Sequence, residues 1–267
     1  MAHLGDSLAS IAAEKAGVVM PGATVVSGVT EEEPARVIAR VCADQEARLV
    51  RARVDVVAAA SEVDGETTLQ LTTPRRTYGP VRLALRGAHQ VGNAIVAVRL
   101  LEALEEAGVG GGREAIETGL AEARWPGRIE RLTLTNGTTV VLDGAHNPDG
   151  ARALAAWLRS SGQAPATLVT ACMHDKDVEG LLAPLLPLAD RVVATAVPFP
   201  RALPAADLAQ RVAALAPSMP IETATAPEDA MAIATGDAAR VIVAGSLFLV
   251  GAVRPWLDAH AGPRDPA

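Results

Sequence analysis

The stretch VLDGAHNPDG, residues 141–150, places an acid, an imidazole and an amide at the point where an apolar run gives way to a helical pattern. If the apolar run is a strand and a helix follows it, Asp143 lies at the carboxyl end of the strand and Asn147 caps the helix. Ligands of open α/β sheets bind at this end, where free helix N–H groups favour anions. Asp143 could accept hydrogen bonds from a ribose diol, and His146 could donate one to a phosphate or acyl oxygen. The plainer alternative is that Asp143 and Asn147 satisfy only the backbone of the turn.

The second half of the chain repeats a strand, a turn and a helix around this corner. The strand-like runs are TTVVLD, ATLVTACM, RVVATAV and RVIVAG, and helical patterns follow them at 147–160, 177–186, 204–216 and 246–259. The later strands are short continuous apolar runs, which is typical of buried parallel strands. Their alternation with helices predicts an open Rossmann-like sheet. The Asn-Gly pair in TLTNGTTVVL predicts a hairpin.

The first half of the chain predicts helices and small strands. The predicted elements are a helix at 7–16 with Ser7 or Asp6 as N-cap, a strand at 24–28, a helix at 31–50, a hairpin formed by TTLQLTT and VRLALRG, and helices at 89–108 and 113–123. The pattern changes at RWPGR, residues 124–128. We therefore place the boundary between two domains there, with domains at 1–125 and 126–267.

The composition excludes several classes of function. A net charge of −7 over 267 residues argues against a nucleic-acid or anionic-membrane partner, since both require a basic face. The longest apolar run, residues 241–253, is too short to cross a bilayer, which takes about 20 residues. Cys42 and Cys172 lack the spacing of metal ligands and, without a signal peptide, indicate a reduced, cytoplasmic location.

Six segments, in this order and spacing, resemble the folylpolyglutamate synthase/dihydrofolate synthase branch of the Mur ligase family. They are LGDSLASIAAEKAGVVMPG, GAHQVGNAIVA, WPGRIE, LDGAHNP, HDKDV and VAGSLFLVG, and they extend from residue 3 to about residue 254. The resemblance implies an α/β protein in which a truncated central ATPase domain, residues 1–125, precedes a Rossmann-like C-terminal domain, residues 126–267. It implies an ATP-dependent amide ligase that adds L-glutamate to folate or dihydropteroate through an acyl phosphate. ATP and Mg²⁺ would be the cofactors, and the full-length enzyme would be a monomer.

The resemblance also assigns roles to single residues. Lys15 matches the lysine that is carbamylated and then helps to hold Mg²⁺, a reaction that arginine cannot undergo. Asn93 matches the asparagine that reads the adenine edge, and Arg128 matches the arginine on the ATP phosphates. Asp143 matches the ribose-binding aspartate, and His146 matches the histidine near the phosphate and the incoming glutamate.

Plainer alternatives stand beside these assignments. Lys15 could be a cation at a helix C-terminus, Asn93 a polar residue satisfied within its helix, and Arg128 an ordinary surface arginine. Ser246 matches a position near the glutamate site, although an N-cap role explains it almost as well. The DKD segment, residues 175–177, matches a loop of the family's cleft, and a surface ion pair explains it equally.

The sequence departs from the family in one important respect. It contains no Gly-rich loop with Lys and Ser/Thr, and GVGGGRE, residues 108–114, lacks both and lies between two helices. Because the chain opens MAHLG, we expect it to begin just after the family's Asp-His pair, with His3 as the neighbour of the metal-binding histidine. We therefore expect a fragment with an open sheet edge and little activity alone.

Other functions remain as alternatives to the folate ligase. One is a Mur-type ligase that acts on a cell-wall precursor or an amino-acid polymer. Another is a non-catalytic domain that binds a nucleotide. A dinucleotide oxidoreductase is disfavoured, because no strand is followed by G-x-G-x-x-G.

Overall fold

The computed structural model of the protein describes residues 7–262, so the alternative N-cap Asp6 and the neighbouring His3 lie outside the described residues. The chain forms two compact units. The first unit comprises the chain up to Ser61 together with Thr67–Leu83 and His89–Ala123, and the second comprises Glu62–Glu66, Ala84–Ala88 and the chain from Arg124 onward. The change of unit after Ala123 lies two residues before the expected boundary at 125/126. The assignment of these units to ligase domains stays a prediction.

The first unit contains four helices and five strands among its described residues. In chain order they are α1 Leu8–Ala16, β1 Thr24–Ser27, α2 Glu32–Asp44, β2 Arg48–Arg51, β3 Val57–Val63, β4 Glu66–Thr72, β5 Thr77–Arg82, α3 His89–Glu106 and α4 Gly112–Glu122, with the β3–β4 turn at Glu62–Glu66 grouped with the second unit. β1 and β2 pair in parallel, and β3, β4 and β5 form a separate three-stranded sheet. A small core joins the second sheet to α3, with Leu69, Tyr78 and Val98 fully buried.

The second unit is built on a six-stranded sheet. Its elements are β6 Glu130–Thr133, β7 Thr139–Leu142, α5 Pro148–Ser160, β8 Ala166–Thr170, α6 Val178–Leu182, a 3₁₀ turn at Leu186–Leu188, β9 Ala189–Ala194, α7 Ala205–Leu215, β10 Ile221–Thr223, α8 Pro227–Thr235, β11 Arg240–Ala244 and α9 Leu247–His260. The strand order is β10-β9-β8-β11-β7-β6, and every pair is parallel except β6 with β7. The α/β class and the Rossmann-like sheet expected from the sequence are confirmed.

Alternate strand residues of this sheet face opposite layers of helices, as the two-residue period of a strand requires. Val141 and Ile242 pack in a cluster with residues of α5, α6 and α7. Val140 and Val243 pack in a second cluster with residues of α8 and α9. Because both faces of the sheet are covered, its central strands are apolar at nearly every position.

Several elements differ from the sequence predictions. The helix expected at 31–50 ends at Asp44, because Glu46 has φ of 51° and residues 48–51 pair with β1 instead. The strand β3 was missed, since all seven of its residues are exposed and show no alternation. The helix expected at 177–186 ends at Leu182, and prolines at 184 and 187 explain the early end.

Two elements of the second unit, β10 and α8, also escaped prediction. β10 has only three residues, which are too few to show a periodic pattern. These residues form a strand because they pair with β9. By contrast, the predicted caps Ser7 and Asn147 and the hairpin turn at 136–137 are confirmed. No helix in the 7–262 range combines the length and apolarity that a membrane span requires.

Candidate active site

Asp143 follows β7 directly and lies at the carboxyl edge of the sheet. Its side chain is 6% exposed. One carboxylate oxygen accepts a hydrogen bond from the backbone N–H of Ala145 at 2.8 Å, and the other accepts from the N–H of Ile129 at 2.9 Å. The carboxylate therefore ties the turn after β7 to the segment that precedes β6. These two bonds are the ones that the plainer interpretation expects, in which Asp143 satisfies the backbone of the turn. Each carboxylate oxygen still has a lone pair that could accept from another donor.

Burial and neighbouring groups act on the Asp143 carboxyl in opposite directions. Burial raises its pKa above the ordinary value, while the N–H groups of Ile129 and Ala145 and the charges of Arg128 and His146 act in the opposite direction. The desolvation of the carboxylate outweighs these favourable contacts. Arg128 and His146 are thus near enough to Asp143 to interact with it electrostatically, and the three side chains belong to one corner of the second unit.

Arg128 occupies the last position of a turn formed by Trp125, Pro126, Gly127 and Arg128. The N–H of Arg128 donates to the carbonyl of Trp125 at 3.2 Å, and Gly127 has φ of 73°. Proline second and a left-handed glycine third are the features of a type II turn. A Cβ on Gly127 would lie 2.7 Å from Cγ1 of Val250, so the position also lacks room for a side chain.

Both backbone polar groups of Gly127, in the same turn, form hydrogen bonds to the rest of the second unit. The carbonyl of Gly127 accepts from the N–H of Gly144 at 2.7 Å, and its own N–H donates to Glu130 at 2.8 Å. Glu130 in turn binds the guanidinium of Arg254 through both carboxylate oxygens. The side chain of Arg128 is therefore presented beside Asp143 by a backbone that has little freedom.

His146 is half-buried, and its orientation is fixed by one hydrogen bond. Nδ1 lies 2.8 Å from the carbonyl oxygen of Gly144. Because a carbonyl only accepts, Nδ1 carries the proton and donates it. Nε2 of the neutral ring is then the acceptor, and it is available to take a proton from, or as imidazolium to donate one to, a group bound at this corner.

Two helices begin at the same edge of the sheet. Asn147 caps α5, and its side chain accepts from the N–H of Gly150 at 2.8 Å. Ser246, which is buried, caps α9 and accepts from the N–H of Phe248 at 3.1 Å. The N-cap alternative for Ser246 is therefore present in the structure. Both helix N-termini make the corner favourable for a negatively charged group.

The remaining predicted site residues lie elsewhere. Lys15 is exposed in the last turn of α1, as the helix C-terminus alternative expects, and Asn93 is exposed on α3 with its amide donating to Gln90 at 2.8 Å. Asp175 forms an ion pair with Arg201 at 2.6 Å, which is the surface pair that the sequence left as an alternative. Arg128, Asp143, His146 and Ser246 share one edge of the second unit's sheet, whereas Lys15 and Asn93 belong to the first unit.

The described residues do not fit a complete metal site by themselves. Within residues 7–262, no group of three or more His, Cys, Asp or Glu side chains is arranged to hold a metal ion. A Lys15 carbamate would supply oxygen ligands, the kind that Mg²⁺ prefers, but further ligands would have to come from outside this part of the chain.

Two features of this corner were missed in the sequence. Trp125 is 64% exposed, although aromatic residues make up only 2% of the chain. Ile129 has φ of 46°, a conformation that β-branched residues avoid. The Pro-Gly pair of WPGR signals the turn, but no local pattern signals a strained isoleucine.

Comparisons with known proteins agree with this architecture. A family model described as "Dihydrofolate synthetase, C-terminal domain" matches residues 129–258. The dihydrofolate synthase/folylpolyglutamate synthase of Mycobacterium tuberculosis is 31% identical over 280 residues, which cover 94% of this chain and 57% of the relative.

Solved structures give the same result. The Mycobacterium tuberculosis folylpolyglutamate synthase complexed with ADP and AMPPCP matches with a TM-score of 0.84 and 30% identity, covering 100% of this chain and 62% of that one. The E. coli FolC structure in complex with DHPP and ADP matches with a TM-score of 0.80 and 27% identity, covering 97% and 58%. The chain thus spans less than two thirds of the length of these relatives. It belongs to the folylpolyglutamate synthase/dihydrofolate synthase family and corresponds to a C-terminal portion of its members.

Proposed function

We propose that this chain supplies the C-terminal part of an ATP-dependent ligase that joins L-glutamate to folate or dihydropteroate through an acyl phosphate. The observation that carries the proposal is the convergence of Arg128, Asp143 and His146 at one corner of the second unit. The names of the relatives and the nucleotides bound in the solved structures support it.

Arg128 and Asp143 would hold the nucleotide. The guanidinium of Arg128 would neutralise charge on the phosphates, which is the main requirement of phosphoryl transfer. Asp143 would accept a hydrogen bond from a ribose hydroxyl at its small exposed edge, while its two backbone bonds keep the turn of Arg128 in position. Asn93 would read the adenine edge, and a carbamate on Lys15 would take part in holding Mg²⁺, whose charge would assist at the phosphates.

His146 would act on the incoming amine. When the nitrogen of glutamate attacks the acyl carbon and phosphate leaves, the nitrogen must lose a proton. Nε2 of neutral His146 is the acceptor left free by the bond from Nδ1 to Gly144, so it is suited to take this proton. Ser246 uses its oxygen to cap α9 and keeps its hydroxyl proton, which would be donated to a glutamate carboxylate.

We further propose that the chain alone turns over slowly, because its sequence contains no Gly-rich phosphate loop with Lys and Ser/Thr. Binding without turnover is also the behaviour of a non-catalytic nucleotide-binding domain. Supplying the rest of a family member as a second polypeptide separates the two: a ligase part restores glutamate-dependent phosphate release, whereas a non-catalytic domain does not.

Calorimetry with ADP tests the nucleotide site directly. We expect Arg128→Ala to weaken ADP binding by about 10-fold to 100-fold, the loss expected for a hydrogen bond to a charged group. Arg159→Ala, an exposed arginine at the far end of α5, is the matched control and leaves binding unchanged. Equal losses in both variants, or no ADP binding by the unaltered chain, would refute the site.

A further inference from the structure

Trp125 is unlike the other aromatic side chains of the protein. It is 64% exposed, whereas Trp157 and Tyr78 are almost completely buried. Phe248 is also exposed, but its ring packs against Phe199 at a centroid distance of 4.4 Å and an interplanar angle of 32°. Among residues 7–262, no other ring contacts the indole of Trp125. A large flat apolar surface is therefore presented to solvent, although such side chains usually contribute to cores or interfaces.

The type II turn brings the backbones of Trp125 and Arg128 close together. Trp125 and Arg128 are the first and last residues of the turn, so their Cα atoms lie within about 7 Å of each other. Gly127, between them, is buried, and its carbonyl is bound to the N–H of Gly144. Trp125, which carries an indole, and Arg128, which carries a guanidinium, are thus the two end residues of one turn whose backbone is held in place.

The residue after the turn shows how firmly the backbone is held. Ile129 has φ of 46° and is 1% exposed, and its N–H donates to the Asp143 carboxylate. A β-branched residue keeps a left-handed conformation only where surrounding contacts impose it. These contacts also hold the backbone of the Trp125–Arg128 turn, so the Cα positions from which the two side chains extend are fixed.

A nucleotide has the complementary chemistry, with a flat base at one end and anionic phosphates at the other. We propose that the indole of Trp125 is the stacking surface for the base of the nucleotide whose phosphates meet Arg128. The inference rests on the proposed function and adds to it a base-binding residue. Stacking on an indole is tolerant of base identity, so Trp125 contributes affinity rather than selectivity for adenine.

Tryptophan fluorescence and calorimetry test the proposal on the whole chain. ADP is expected to quench the emission of Trp125, because the other two indoles are buried or, for Trp256, stacked on His260. Trp125→Ala should weaken ADP binding by about 5-fold to 100-fold, and Trp125→Phe should retain most of the affinity. Inorganic pyrophosphate, which has no base, should bind the alanine variant and the unaltered chain equally. Trp256→Phe is the control and should bind ADP normally.

The outcomes separate this inference from the proposed function. If Trp125→Ala binds ADP as tightly as the unaltered chain, the stacking role is wrong and the nucleotide site stands. If Trp125→Ala weakens pyrophosphate as much as ADP, Trp125 acts on the turn rather than on the base, and the proposal is overturned. If the unaltered chain binds no ADP, the nucleotide site and the role of Trp125 are both refuted.

Discussion

The two units differ in how completely they bury their own apolar surface. The second unit covers both faces of a six-stranded sheet with helices and has a core on each side. The first unit has two separate small sheets and one smaller core. Ten of the fifteen exposed large apolar side chains in the described part of the chain belong to the first unit. The second unit therefore covers the apolar faces of its sheet with its own helices. The first unit leaves apolar surface that its described residues do not cover.

Helix α3 shows the difference within one element. Ala94, Ile95 and Val98 are buried on one face. Leu100 and Leu104 lie on another face and are exposed by 44% and 40%. An isolated surface helix usually has a single apolar stripe. The second stripe of α3 is therefore apolar surface that the described residues of the first unit do not cover.

The largest loss of stability should come from truncating a side chain in the core of the second unit. Leu168 on β8 is 1% exposed, so Leu168→Ala should lower the free energy of unfolding of the second unit by about 2–5 kcal/mol. Leu100→Ala removes the same atoms from the exposed stripe of α3 and should change stability by less than about 0.5 kcal/mol. Urea unfolding measures both. If the two variants lost the same free energy of unfolding, the α3 stripe would have to be buried. The conclusion that the first unit leaves more apolar surface uncovered than the second would then be wrong.

An intermediate effect should come from the buried polar contacts of the first unit. The hydroxyl of Tyr78 donates to Glu102 at 3.0 Å, and Arg99 binds the other oxygen of Glu102 at 2.7 Å. Tyr78→Phe removes a donor from a buried carboxylate and should cost about 1–3 kcal/mol. Hydrogen exchange of α3 amides reports this loss locally. Thr72→Val, at an exposed hydroxyl pair, is the control; a similar cost there would contradict a special role for the Glu102 contacts.

The smallest change in stability should come from replacing Asp143, and its size should depend on pH. Because burial raises its pKa in the folded state, the carboxyl stabilises the fold fully at low pH and loses that contribution as the pH rises through the folded-state pKa. Asp143→Asn does not titrate. Its cost, about 1 kcal/mol at low pH, should therefore shrink as the pH is raised from the ordinary pKa of an aspartate, about 4, toward neutral pH. Chemical unfolding across this range measures it, and a cost that grows with pH would show that the pKa is lowered.

The sequence indicated much of the second unit because its signals are local. The Asn147 cap, the Asn136-Gly137 turn and the apolar run of β7 each carry their own pattern. β2 and β10 were missed because their pairing with distant strands, rather than their own residues, makes them strands. The burial of Asp143 and the left-handed Ile129 depend on contacts made across the fold, and these have no local signature.

Hydrogen exchange with and without ADP tests the central claim most directly, that the corner around Arg128, Asp143 and His146 binds a nucleotide. Saturating ADP should slow exchange most at amides of residues 125–130 and 143–147. Protection that is absent from both segments, while ADP is bound, would place the nucleotide elsewhere and contradict the account.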